Sequence, residues 1–532
     1  MKAFAKFLDK IARKTVEILA FVLFACITLT GAFCSAYLEN GYGQKLFYVR
    51  DSLLLNLLFC ALLFCLLYFL AGVIGKNLEK RRKILLVFTL IYTFVLSLGW
   101  AAVSKCFPTA DQASVYYGAK HFAADYYAEI TEKYSYFSCY PHQMGLAFFY
   151  ELILRFFHTE SYHVLQGVNA LSNVVTVLSL YQVTNLLFPN KKVSVYFLLL
   201  TILCFPLYWY TPFVYGELPS FAFAFFGIWM LLSGIKTSGK KGWMGLVFVG
   251  ISLLSFTCAS AIRKNTLILI VAVVITLFVY LCREQRFLYM LYLLLLVIFC
   301  NGAIPFAIRH YENCAGQNLN DGVPGISHVV MGLQEAEYAP GWYNGFNFVT
   351  YAYEADYDQE KAIQISRQVL GEQLEILKND PGYAFRFFGK KFMGEWLNTG
   401  YACYDFTAGK YYERHPFVES LYSGAGFYVT RFFMDKYQFF IYLAALLFFG
   451  KRLFSKKKEE DPDLESYGIL SYILPATALG GALFYLAWEG NGRYILPYFI
   501  MTLPWAAAGA TWLDERIKLL YTIFKGQSQV AE

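Results

Sequence analysis

The sequence predicts an all-α polytopic membrane protein, a bundle of about twelve transmembrane helices with amphipathic helices at its outer face. Three observations carry that reading. First, 58% of the 532 residues are hydrophobic and only 16% are charged, where a soluble domain has about 45–50% and about 25%. Second, apolar blocks of about 18–23 residues recur along nearly the whole chain, the length that crosses roughly 30 Å of hydrocarbon at 1.5 Å per residue. Helices are the economical solution, because lipid offers no partner to an open strand edge. Third, lysine and arginine gather in short loops, the pattern that orients a membrane protein. The net charge of +7 reflects those loops, so no nucleic-acid partner is expected.

In order along the chain, MKAFAKFLDKIARK is a basic amphipathic start that leads into an apolar run from Val16. That run is too long for a signal-peptide core and reads as an uncleaved anchor with a cytoplasmic start. The spans fall at roughly 16–38, 52–74, 83–105, 164–188, 192–212, 217–235, 242–262, 265–282, 286–306, 437–451, 467–488 and 494–513. The inner loops are then 75–83, 189–192, 236–241, 282–286 and 450–463, all with Lys or Arg, and both termini are cytoplasmic. Residues 143–157 are apolar but short and carry Glu151 and Arg155. A full crossing there would invert every later loop, so a juxtamembrane helix is expected. Five regions result: N-terminal spans 1–105, a first outer loop 106–163, central spans 164–306, a long outer loop 307–436, and C-terminal spans with a cytoplasmic tail 437–532.

In the first outer loop Val115, Ala119, Phe122, Tyr126 and Ile130 recur at helical steps, the stripe of a helix lying on the membrane surface. In the second, 360–379 reads as a helix stopped by Asp380-Pro381-Gly382. The basic aromatic stretch 383–397 then suits the interface, with Arg386, Lys390 and Lys391 near lipid phosphates. The 12 cysteines form no CxxC pair or zinc spacing. Most sit in apolar blocks as small hydrophobes, while Cys106 and Cys139 flank one outer loop and leave a disulfide open.

Ionisable groups near membrane depth are the functional candidates. Asp111 has two compatible readings, a helix N-cap and a general base for an acceptor hydroxyl. Glu217, at the start of a span, is a cap or a second acid. Arg263 and Lys264 stand outside against the charge rule; they snorkel from a helix end or clamp an anion. Glu489 and Arg493, four apart around two glycines, are a local ion pair, or Arg493 is a further phosphate ligand. His142 and His328 are lone histidines for which structural roles are favoured.

The pieces ADQASVYYGAKHFAADYY, YPHQMGLAFFYELI, YGELPS, IRKNTLI, HVVMGLQEAEYAPGWYNG and EGNGRYILP, in that order over about 100–500, resemble the GT-C superfamily of membrane glycosyltransferases. In particular they look like the broad group containing protein O-mannosyltransferases and lipid A aminoarabinose transferases. Two extra spans before Asp111 depart from that pattern. The resemblance implies a GT-C-like bundle at a cell membrane, with an outward-facing site. It implies a polyprenyl-phosphate sugar donor within the membrane lipid and a glycan, lipid or protein acceptor. Asp111 and Glu217 are then catalytic, Arg263, Lys264 and Arg493 bind the donor phosphate, and Tyr117, His142, His328, Trp342 and Glu489 line the substrate site. No cofactor is assigned. A divalent cation is the one candidate, and Gln112 in place of a second acid leaves it short of oxygen ligands. The competing expectations are a flippase or transporter of lipid-linked glycans and a surface-polysaccharide polymerase or ligase.

Overall fold

The computed structural model describes residues 2–38, 45–75, 77–238, 242–286, 289–455 and 462–530. Parts of the basic loops expected at 75–83, 236–241 and 450–463 lie outside the described residues. Among those described, 10 helices are long and apolar enough to cross a membrane. They are Ala3–Gly31, Leu53–Gly75, Leu78–Ser104, Tyr162–Leu187, Glu217–Thr237, Gly242–Ile262, Lys264–Glu284, Met290–Ala315, Ala425–Phe454 and Leu464–Ala487. Leu54, Leu62 and Phe69 on the second of these are 67%, 71% and 66% exposed. So continuous an apolar surface suits lipid and not water. The chain is a multi-pass membrane bundle.

Two of the twelve expected spans take another form. Residues 192–212 form the helix Lys191–Ile202, a break, and the short helix Phe205–Trp209. Residues 494–513 lie inside a 39-residue helix, Gly492–Val530, that contains Pro497 and Pro504. The break after Ile202 needs partners for freed backbone groups, since hydrocarbon supplies none. A polar stripe on Tyr162–Leu187 supplies them. Tyr162 Oη donates to the Pro212 carbonyl at 2.9 Å. Asn169 Nδ2 donates to the Thr211 and Phe213 carbonyls at 3.0 and 2.9 Å. Asn173 Nδ2 donates to the Leu207 carbonyl at 3.0 Å. Positions 162, 169 and 173 share one helix face, so the sequence of that helix fixes the turn at 210–216.

The first helix stops at Gly31, short of the apolar run's expected end at 38. Residues Cys34–Leu38 instead pair antiparallel with Leu46–Arg50. A short apolar run cannot by itself distinguish strand from continued helix. The Ala36 N–H donates to the Leu397 carbonyl at 3.0 Å, and the Leu46 N–H to the Tyr338 carbonyl at 3.0 Å. The hairpin therefore clasps the long 307–436 segment.

That segment is largely helical, with Gly325–Leu333, Gln359–Asn379, Pro381–Trp396 and Pro416–Ser423 as its main pieces. Asp380 ends one helix and starts the next: its Oδ1 accepts from the Tyr383 N–H at 2.8 Å. Lys391 is not an interfacial lipid contact. It is fully buried, and its Nζ donates to the carbonyls of Gly332, Leu486 and Trp488 at 2.6, 3.2 and 2.8 Å.

The surface stripe of the first loop is also corrected. Val115, Ala119 and Phe122 are fully buried and Ile130 is nearly so, whereas Tyr126 is 55% exposed. The helix Ala110–Ala123 ends before it, and Asp125 turns the chain at φ +58°. Residues Met144–Phe156 form a 13-residue helix, about 20 Å long and too short to span. Cys106 and Cys139 are both free and buried. Cys106 bridges toward Lys410, while Cys139 packs with Tyr351 and Ala352.

Candidate functional site

The site collects where several helices begin or end. Asp111 lies in the first turn of Ala110–Ala123, behind Ala110 at φ +48°. A non-glycine residue there stores roughly 1 kcal/mol or more of backbone strain. The hydrogen-bond partner of the Asp111 carboxylate is a tyrosine and not a helix N–H: Tyr215 Oη donates to Asp111 Oδ2 at 3.4 Å. Asp111 keeps accessible surface, yet protein atoms surround it closely enough to push its pKa up from the ordinary carboxylate value. The Arg493 field, the Tyr215 bond and the Arg263 field oppose that rise, and Glu489 adds to it.

Tyr215 is 3% exposed. The guanidinium of Arg263 lies 4.8 Å from its ring centroid and that of Arg493 5.2 Å. Glu217, buried at the start of its helix, sits between the same two arginines. Its Oε1 is 3.2 Å from Arg263 Nη2 and 3.9 Å from Arg493 Nε. Neither contact is a directed hydrogen bond, and both Glu217 oxygens are without one. Within this trio one carboxylate faces two guanidiniums, and Asp111 and Asp405 also lie in the field of Arg493. Arg493 is held further by the rings of Phe406, Tyr494 and Phe213 at 4.5, 5.2 and 5.6 Å.

Beside this charged group a small cavity of about 60 Å³ lies between four helices. Glu217, Arg263 and Arg493 line it together with Phe221, Phe225, Leu269, Pro497 and Met501. Ser220, Thr266, Thr477, Tyr485 and Tyr498 also line it, so polar and apolar groups alternate along its walls.

The expected Glu489–Arg493 pair is replaced by another. Glu489 Oε2 lies 3.1 Å from His328 Nδ1, and its N–H donates to the His328 carbonyl at 3.0 Å. The His328 ring stacks on Trp488 at 5.1 Å and 9°. His328 is thus anchored and not alone. His142 lies beside Gln143 Nε2, 3.4 Å from its own Nε2. Burial, then the nearby Lys264, His328 and Arg263, push its pKa down to about 3, so the imidazole is neutral. Lys264 itself is exposed.

Two expected substrate residues stand apart. Trp342 is 1% exposed and packs with Ala36, Leu38 and Leu46 of the hairpin. Tyr117 is 40% exposed at the rim, its Oη 3.3 Å from Tyr411 Oη. Two site residues were not singled out in the sequence. Tyr215 opens the YGELPS piece but is an uncharged aromatic among 43 tyrosines. Asp405 lies in the one-turn helix Cys403–Phe406, in a stretch with no motif; burial raises its pKa to about 6, against the field of Arg493. Among the described residues no three His, Cys, Asp or Glu side chains come together as a metal site.

Comparison of the chain with protein-family models, with curated proteins and with solved structures finds no match.

Proposed function

We propose that the chain is a membrane glycosyltransferase that moves a sugar from a polyprenyl-phosphate donor to an acceptor hydroxyl. The observation that carries this reading is the cavity. Its two arginines suit a phosphate, and Phe221, Phe225, Leu269 and Met501 beside them suit the near end of an isoprenoid tail. The bundle would cross the membrane about twelve times, counting 192–212 and 494–513. The site end faces outward by the positive-inside rule.

In the reaction Asp111 takes the proton of the acceptor hydroxyl. The oxygen bonds to the anomeric carbon while the carbon–phosphate oxygen bond breaks, and the electron pair leaves with the lipid phosphate. Inversion follows from in-line attack. Arg263 and Arg493 stabilise the leaving phosphate where water is largely excluded, a setting in which such contacts count most. Glu217 serves as the counter-ion that aims both arginines, and Lys264 approaches from the exposed side. His142, His328 and Glu489 border the acceptor side. A divalent cation remains a candidate only as an addition to this set, and no step depends on it.

The donor half of the proposal is tested by native mass spectrometry with decaprenyl phosphate added to the reconstituted chain. Arg493→Gln should weaken retention of the lipid about tenfold or more, the effect of losing one charge-assisted contact of roughly 1.5–3 kcal/mol. Retention equal to wild type, or no preference for the phosphate over the free alcohol, contradicts the proposal.

A further inference from the structure

We infer that Tyr215 is a positioning residue that fixes the spacing between the base and the two phosphate-binding arginines. The inference rests on the transferase reading for the names of those roles, and on geometry for the rest. Tyr215 touches every member of the group. Its hydroxyl donates to Asp111 Oδ2 at 3.4 Å, accepts from Gln143 Nε2 at 2.9 Å and meets Tyr136 Oη at 2.9 Å. Its ring lies 4.8 and 5.2 Å from the guanidiniums of Arg263 and Arg493. Its carbonyl accepts from Arg263 Nη1 at 3.4 Å.

The backbone beneath the ring is equally constrained. The neighbouring Val214 N–H donates to Gln112 Oε1 at 3.2 Å, and Tyr162 Oη lies 3.0 Å from the same oxygen. Gln112 directly follows Asp111, so consecutive residues of one helix are tied to consecutive residues of one turn. Gly216 closes that turn at φ +87°, where a Cβ would lie 2.8 Å from Leu146 and 2.9 Å from Ile262. Neither side chain nor backbone can shift alone.

In-line displacement needs the base and the leaving-group contacts at one fixed separation across the reacting carbon, because misplacement by about 1 Å can cost two orders of magnitude in rate. A single ring that bears on all three groups provides that separation before substrate arrives. Tyr215 itself keeps its proton and forms no bond to substrate. The proton lost by the acceptor goes to Asp111, and the electron pair of the broken bond goes to phosphate.

The test uses the full chain in lipid nanodiscs, with Tyr215→Phe and Tyr215→Met. Tyr215→Phe removes the hydroxyl and keeps the ring; Tyr215→Met removes the ring. Decaprenyl phosphate binding and the kcat and KM of sugar transfer are read for each. Tyr215→Phe should bind the lipid within about twofold of wild type and lose about tenfold in kcat at unchanged donor KM. Tyr215→Met should bind it about tenfold more weakly. A wild-type kcat in Tyr215→Phe, or wild-type binding in Tyr215→Met, overturns the inference. If Tyr215→Met does not fold, Tyr215→Phe decides: a kcat loss at constant KM supports the role, and a KM rise at constant kcat removes it. If wild type transfers no sugar, the transferase reading falls alone. Binding then decides the rest: weaker lipid retention by Tyr215→Met than by Tyr215→Phe supports the inference, and equal retention by all three overturns it.

Discussion

In the proposed reaction Asp111 has to ionise where protein crowds it. Crowding raises its pKa, and the arginine field and the Tyr215 hydroxyl bring it part of the way back. A base works only as the carboxylate, so activity is present above the folded pKa and is lost as pH falls through it. The acid limb of kcat/KM should therefore lie above the ordinary carboxylate range. A pH–rate profile checks this, and an acid limb at or below the ordinary value contradicts it. Asp111 was legible in the sequence because a lone acid beside an apolar block is expensive. Tyr215 was not, because an uncharged ring gains its role only from what the fold places around it. Trp342, an aromatic in a suggestive segment, packs into the core of a hairpin that no periodicity announced.

At the scale of elements, the segment that carries Glu489 and Arg493 is held from below. Lys391 gathers three carbonyls from two helix ends, and Glu395 packs against Gly490, where a Cβ would lie 2.0 Å from its Oε1. Burial drives Lys391 down to about 8 and Glu395 up to about 8. Three carbonyls around Nζ favour the ammonium, while Glu395 Oε1 has no hydrogen bond, so the stable pairing is a charged lysine beside a neutral carboxyl. Lys391→Met should then destabilise the fold by roughly 1–3 kcal/mol, whereas Glu395→Gln should change it little at pH 7. Thermal unfolding in detergent compares them. Equal losses in both variants would contradict this assignment of charge. The sequence marked 383–397 as basic and aromatic but assigned all its cations to lipid. Burial of one of three depends on helix ends more than fifty residues away. By contrast, the helix 360–379 and its stop at Asp380-Pro381-Gly382 were readable, because capping chemistry is local.

Across the whole molecule, the order of apolar blocks was legible because hydrocarbon thickness imposes one length on every span. The two segments that depart from it, 192–212 and 494–513, depart for tertiary reasons. The first breaks where asparagines of a neighbouring helix take over its backbone, and the second is part of a longer helix with internal prolines. Their joint effect is to bring the 210–216 turn and the 488–493 loop together over the cavity. Charged residues spread from position 111 to position 493 therefore meet at one end of the bundle. Sugar transfer by the chain reconstituted in lipid, measured with radiolabelled polyprenyl-phosphate sugars and a membrane extract as acceptor source, tests this account most directly. Wild type should transfer label, and Asp111→Asn at matched folding should lose about a hundredfold or more. Equal transfer by both proteins would remove Asp111 from the chemistry. Movement of the lipid-linked sugar between leaflets without transfer would replace the enzyme with a transporter.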